Sequence, residues 1–174
     1  MTNNSTRVRR ITETGLFLTL TLALSYLEHL LPVLPMMPPG VKPGLANIVI
    51  MYCLLVSGAP SALILTVLKS LFVLMTRGTI AGALSLLGSL FSVLVMFLLS
   101  RIKKPRLSYL FLSIAGAIFH NLGQLVGASV LVSRRVIVYV PVLILSGIFM
   151  GTLTGTILRV VMPALHKLRG HQDP

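Results

Sequence analysis

The stretch Ser108-Tyr-Leu-Phe-Leu-Ser-Ile-Ala-Gly-Ala-Ile-Phe-His120-Asn121-Leu-Gly-Gln124-Leu-Val-Gly-Ala-Ser-Val-Leu-Val132 decides the class of this chain. It runs 25 residues without a formal charge, longer than the roughly 20 residues that an α-helix needs to cross a hydrocarbon core. Inside it lie an imidazole and two carboxamides. Lipid rejects such groups, so each one in an apolar span is by default a hypothesis about a functional site.

The rest of the sequence repeats the pattern. Of its 174 residues 55% are apolar and only 10% charged, outside the range of soluble domains. Apolar runs divided by Pro, Gly or basic breaks predict an all-α membrane protein with six spans, at 11–31, 44–57, 61–75, 80–100, 108–132 and 136–162. The second and third are short and are separated only by Ser57-Gly58-Ala59-Pro60. No small-residue cleavage site follows the first apolar run, which therefore reads as an uncleaved span.

Fifteen Lys and Arg against three acidic residues give a formal charge of +12. The basic residues fall in short clusters between apolar runs, which fits membrane topology and not a nucleic-acid-binding face. With the N-terminus inside, Arg7, Arg9, Arg10, Arg101, Lys103, Lys104, Arg106, Arg159, Lys167 and Arg169 are all cytoplasmic. The positive-inside rule then predicts that both termini are cytoplasmic. Carboxylate chemistry has few ligands here, since Glu13, Glu28 and Asp173 are the whole acidic complement. The lone Cys53 excludes an internal disulfide and reads as a core thiol. Neither a catalytic set nor a metal site is expected, and an enzyme reading would rest on Glu28 with His120 alone.

Orientation turns sequence position into depth. Glu28, Asn47, Lys69, Ser85, His120, Asn121 and Gln124 all fall in the outer half of the bilayer, with Lys42, Arg77, Arg134 and Arg135 as a basic rim. His120, Asn121 and Gln124 lie within four residues of one another, on a broad helix face. An outward-opening polar cavity is the expectation. Lys42, Lys69 and Arg77 would hold a phosphate or carboxylate, and Asn47, His120, Asn121 and Gln124 would read the edges of a heterocycle, with Ser85 and Glu28 as further substrate-binding candidates. Two other readings stay open: a Glu28–Lys69 ion pair, and helix packing by Ser85, Ser89 and Ser92. The first outer connection, with five of the ten prolines between Pro32 and Pro43, reads as a rim or lid. Gly147, Gly151 and Gly155 form a small-residue face for a partner helix or an internal neighbour, and Gly15, Thr19 and Ala23 a weaker one.

Lys42-Pro-Gly-Leu-Ala-Asn-Ile-Val49, Gly78-Thr-Ile-Ala-Gly-Ala-Leu-Ser-Leu-Leu-Gly-Ser89 and Gly116-Ala-Ile-Phe-His-Asn-Leu-Gly-Gln124 resemble a bacterial family. It is the Gx transporter family, also labelled heptaprenyl diphosphate synthase component I, and the resemblance runs from about Thr12 to Val161. Members are similar to the substrate-binding S components of energy-coupling factor transporters. That resemblance implies a compact, S-component-like bundle of six transmembrane helices in the bacterial cytoplasmic membrane with its ligand site toward the outside. It also implies a partner transmembrane subunit with ATPases, and a small-residue contact on the first helix. Some members are associated with flavin transport, so a flavin (FMN or riboflavin) is the implied ligand, carried and not covalently bound. The synthase label conflicts with the residues: a prenyl diphosphate synthase needs clustered aspartates for Mg-diphosphate, and Asp173 is the only aspartate. No glycine-rich loop ending in Gly-Lys-Ser/Thr is present, so energy would come from elsewhere. The alternative is a non-catalytic membrane accessory subunit of an isoprenoid diphosphate synthase or an electron-transfer complex.

Overall fold

In the computed structural model, which describes residues 2–30, 44–102 and 108–170, the chain is helical throughout. Six α-helices follow in order: α1 Thr2–Leu30, α2 Asn47–Ser57, α3 Ala59–Arg77, α4 Thr79–Ser100, α5 Tyr109–Leu131 and α6 Val140–Gly170. A 3-10 helix, Arg134–Tyr139, leads into α6. Among the described residues α3, α4, α5 and the segment Arg134–Val160 are long and apolar enough to cross a membrane. The chain is a multi-pass membrane protein.

Prolines explain where the helix starts depart from the expected spans. Pro60 falls in the first turn of α3, where its missing N–H costs nothing. The third helix therefore begins at Ala59 and ends at Arg77, 19 residues instead of the 15 of the run 61–75. Pro141 similarly stands at the second position of α6, so the helix begins at Val140 and the residues from Val136 to Tyr139 are 3-10. The Pro-rich stretch 32–43, with Lys42, lies outside the described residues.

Single glycines make the two tightest connections. Gly58 joins α2 to α3 and Gly78 joins α3 to α4, with φ/ψ of 88°/174° and 88°/175°. That corner of backbone space is essentially reserved for glycine. A Cβ on Gly78 would meet nothing within 4 Å, so the cost of Gly78→Ala is conformational alone. It should destabilise by ~1–3 kcal/mol. Gly15, within α1 and equally open, should behave oppositely: Gly15→Ala removes a helix-interior glycine and should stabilise by up to ~1 kcal/mol. Thermal unfolding in detergent reads both signs.

Burial is inverted relative to a soluble domain. Met75, Phe149 and Val160 are 86%, 70% and 71% exposed, while Lys69 and Glu28 are each 3% exposed and His120 1%. Apolar surface turned outward and charge turned inward is the arrangement lipid demands. An apolar core of Phe17, Val49, Ile50, Cys53, Leu65, Val93 and Leu112 fills one part of the bundle. A second cluster, Leu84, Leu125, Ala128, Val136 and Leu143, ties α4, α5 and α6 together. Cys53 is buried in the first, as a core thiol should be.

Helix α5 is central, packing against α4 on one side and α6 on the other. A Cβ on Gly147, Gly151 or Gly155 would lie 3.0, 2.5 or 2.8 Å from the Cα of Ile118, Ile114 or Leu110. Steps of four up α6 thus meet steps of four down α5, the mesh of an antiparallel pair in close contact. This corrects the partner-helix reading of the three glycines. Their face is filled by α5, and the Ser113 and Thr154 hydroxyls hydrogen-bond across it. Gly15, Thr19 and Ala23 are exposed on α1, which packs only on α2 and α3 among the described helices.

Candidate functional site

The buried polar residues gather between α1, α3, α4 and α5. Ser25 and Glu28 from α1, Lys69 and Arg77 from α3, Ser85 from α4, and His120 and Gln124 from α5 line one recess. Its empty space is about 280 Å³ including its open mouth. Within that, the fit is tight, with room for about one water molecule.

Lys69 and Glu28 each have neutral hydrogen-bond partners. Lys69 Nζ donates to Asn47 Oδ1 and to Ser89 Oγ, both at 3.2 Å, which ties α3 to α2 and α4. Glu28 Oε1 accepts the Leu45 backbone N–H at 2.5 Å, pinning the entry to α2 against the end of α1. Gly44 makes that entry possible: its φ is +87°, and a Cβ there would lie 2.9 Å from Asn47 Nδ2 and 3.1 Å from His120 Cδ2. The ion pair considered from sequence is thus replaced by two charges that face one recess, each with its own neutral hydrogen bonds.

On α5 the one-turn spacing of His120 and Gln124 has a direct consequence. Gln124 Nε2 and His120 Nε2 are 2.6 Å apart. With the amide nitrogen as donor, the imidazole accepts at Nε2 and carries its proton at Nδ1. His120 Nδ1 has no hydrogen-bond partner, and neither has the buried Ser85 Oγ. Buried polar atoms are nearly always satisfied, so two orphans around one recess that also holds Lys69 and Arg77 mark a place where a ligand's acceptors would be welcome.

Not every residue expected at the site reaches it. Asn121 is one residue past His120, about 100° further round the helix, and it faces α6, where Nδ2 donates to Leu143 O at 2.8 Å. Its role is to join two helices. Asn47 contacts Lys69 but lines a neighbouring recess. Lys42 lies outside the described residues. Sequence reasoning missed Ser25, which is three residues before Glu28 and so on the same face of α1. It also missed Gly88 and Gly123, where α4 and α5 cross: a Cβ on Gly123 would be 2.9 Å from Gly88 Cα. Their presence in the quoted motifs was the available signal.

Fold and recess together define a multi-pass helical membrane protein with a buried, cation-bearing polar site. Residues 17–161 match the family model of heptaprenyl diphosphate synthase component I. The chain belongs to that family. Comparison with curated proteins and with solved structures gave no match.

Proposed function

We propose that this protein is a transport subunit, similar to the S component of an energy-coupling factor transporter, that binds a small anionic organic molecule. Flavin, as FMN or riboflavin, is the preferred ligand. The observation that carries the reading is the single recess in which Lys69 and Arg77 lie beside the unpartnered Ser85 hydroxyl and His120 Nδ1. Such donors can hold a phosphate or carboxylate by charge-assisted hydrogen bonds. In the full reading all six helices are embedded, both termini are cytoplasmic, and the recess opens outward. Translocation would then use a partner energy-coupling subunit, and no bond of the ligand changes.

Binding requires the recess to widen. Sites for molecules of flavin size occupy some 300–1,000 Å³, whereas the resting recess has room for about one water. The ligand would therefore displace side chains instead of entering a ready-made cavity. The name of the family favours a second reading, a membrane component that serves a partner synthase subunit. Titrating FMN, riboflavin and prenyl diphosphates into detergent-purified protein separates the two. Saturable quenching of flavin fluorescence is expected. If no ligand binds to protein that unfolds cooperatively on heating, the transport reading for these molecules fails. Copurification of a soluble synthase subunit from native membranes, without flavin binding, would install the second.

A further inference from the structure

A second recess lies beside the first and shares its partition. Asn47, Met51, Ser92, Met96, Gly116 and Met150 are among its walls. Like the first, it has room for about one water and one unpartnered hydroxyl, that of Ser92, which is 2% exposed. Between the two recesses stands the hydrogen-bonded set Lys69–Asn47–Ser89: Asn47 lines the second recess, Lys69 the first, and Ser89 sits on α4 between Ser85 and Ser92.

The register of α4 fixes the scale. Ser85, Ser89 and Ser92 follow one another at four and three residues, so they share one face of the helix. Ser85 and Ser92 are seven residues apart, roughly 10 Å along the axis at 1.5 Å per residue. Two orphaned hydroxyls, one in each recess, are thus held roughly 10 Å apart in line. The walls differ in kind. The first recess carries the cations and the imidazole, while the second is faced by three thioethers. Methionine side chains have three rotatable bonds and a polarizable sulfur, and they re-pack around irregular guests.

Resting on the site reading above, we infer that the two recesses are the two ends of one binding site for an elongated anion. The acidic group sits by Lys69 and Arg77, and a less polar body passes the Lys69–Asn47–Ser89 partition to place a hydrogen-bonding group at Ser92. Lys69 acts as the latch. It closes the partition by holding Asn47 and Ser89, and an arriving anion takes its charge and frees Asn47 to turn aside. A small anion such as phosphate needs only the first recess.

The test compares inorganic phosphate, FMN and geranyl diphosphate, by calorimetry on the full chain in detergent, with wild type, Ser92→Ala and Gly116→Ala. Ser92→Ala deletes an unpartnered hydroxyl and should leave folding intact. A Cβ on Gly116 would press on the Met96 sulfur at 2.7 Å, a flexible side-chain end, and so narrows the second recess. FMN should bind wild type more tightly than phosphate. Both variants should lose about tenfold in FMN affinity, the weight of one well-made buried hydrogen bond, with phosphate binding unchanged. If FMN binds no tighter than phosphate, or keeps its advantage in both variants, the second recess is no part of the site, though the first still is. If geranyl diphosphate alone binds tightly and is indifferent to Ser92→Ala, the polar far end is overturned. If none of the three binds, the site reading itself falls and this inference with it.

Discussion

Lys69→Met should reduce the affinity for an anionic ligand by at least ~30-fold, the consequence of losing ~2 kcal/mol or more when one partner of a buried charged hydrogen bond is removed. The side chain is 3% exposed, and its ammonium, held by two neutral oxygens, faces the recess that the Glu28 carboxylate shares, where an anionic ligand would meet it. Methionine fills nearly the same volume without that charge. Two effects on stability then oppose each other. Removing a buried charge spares its desolvation and favours the fold, while losing its attraction to the Glu28 carboxylate and leaving Asn47 Oδ1 and Ser89 Oγ without their donor, at ~1–3 kcal/mol for each, work against it. The melting temperature should therefore move little while binding collapses, and that split separates a binding lysine from a structural one. Glu28→Gln should act in the opposite direction on binding. A glutamine oxygen can still accept the Leu45 N–H, and loss of the carboxylate removes repulsion from the recess, so anion affinity should rise several-fold. Calorimetric titration of phosphate or FMN, paired with thermal unfolding, reads both variants. A Lys69→Met protein that binds like wild type would remove Lys69 from the site.

Much of this architecture was legible because lipid imposes few solutions. The uncharged run 108–132 predicted a spanning helix, and α5 occupies Tyr109–Leu131. Charge and amides inside apolar runs predicted a polar interior, and Glu28, Lys69, His120 and Gln124 do converge on one recess. What pattern could not supply was azimuth. Depth follows from counting residues, but whether a side chain faces one neighbour or another depends on which helices pack there. Asn121 illustrates this: at the depth of His120, it serves α6 and not the recess. Gly147, Gly151 and Gly155 show the same limit, because a small-residue face announces close packing without naming the helix that fills it. The second recess was illegible for a different reason. Apart from Asn47 its walls are methionines, small residues and the hydroxyls of Ser92, Ser113 and Thr154, which read as ordinary helix packing until Ser92 is seen without a partner.

Gly123→Val should both unfold the protein more easily and abolish ligand binding, because the site hangs on a crossing where α4 and α5 meet backbone to backbone. A Cβ at Gly123 would lie 2.8 Å from Leu87 O, 2.9 Å from Gly88 Cα and 3.0 Å from Phe91 Cβ, two of the three being backbone atoms of α4. No rotamer change relieves such a contact, so α4 and α5 have to separate. Overpacking of this kind costs ~1–3 kcal/mol, and more where the backbone must move. The separation also has a functional cost. His120 and Gln124 ride on α5, three residues and one residue from Gly123, while Ser85 and Ser89 flank Gly88 on α4. Pushing the helices apart pulls the imidazole from the serine stripe and leaves Lys69 without its geometry. Gly116→Ala, elsewhere on α5, is the comparison for melting alone: its Cβ would meet side-chain atoms only, Met96 Sδ and Cγ at 2.7 and 2.9 Å and Ser92 Oγ at 3.2 Å, so it should lower the melting temperature less than Gly123→Val does. A Gly123→Val protein that melts and binds as wild type would mean that the two helices are not held at this crossing. The expected pattern instead ties the family motifs around Gly88 and Gly123 to a physical requirement: two helices must touch backbone to backbone for the polar groups between them to face one ligand.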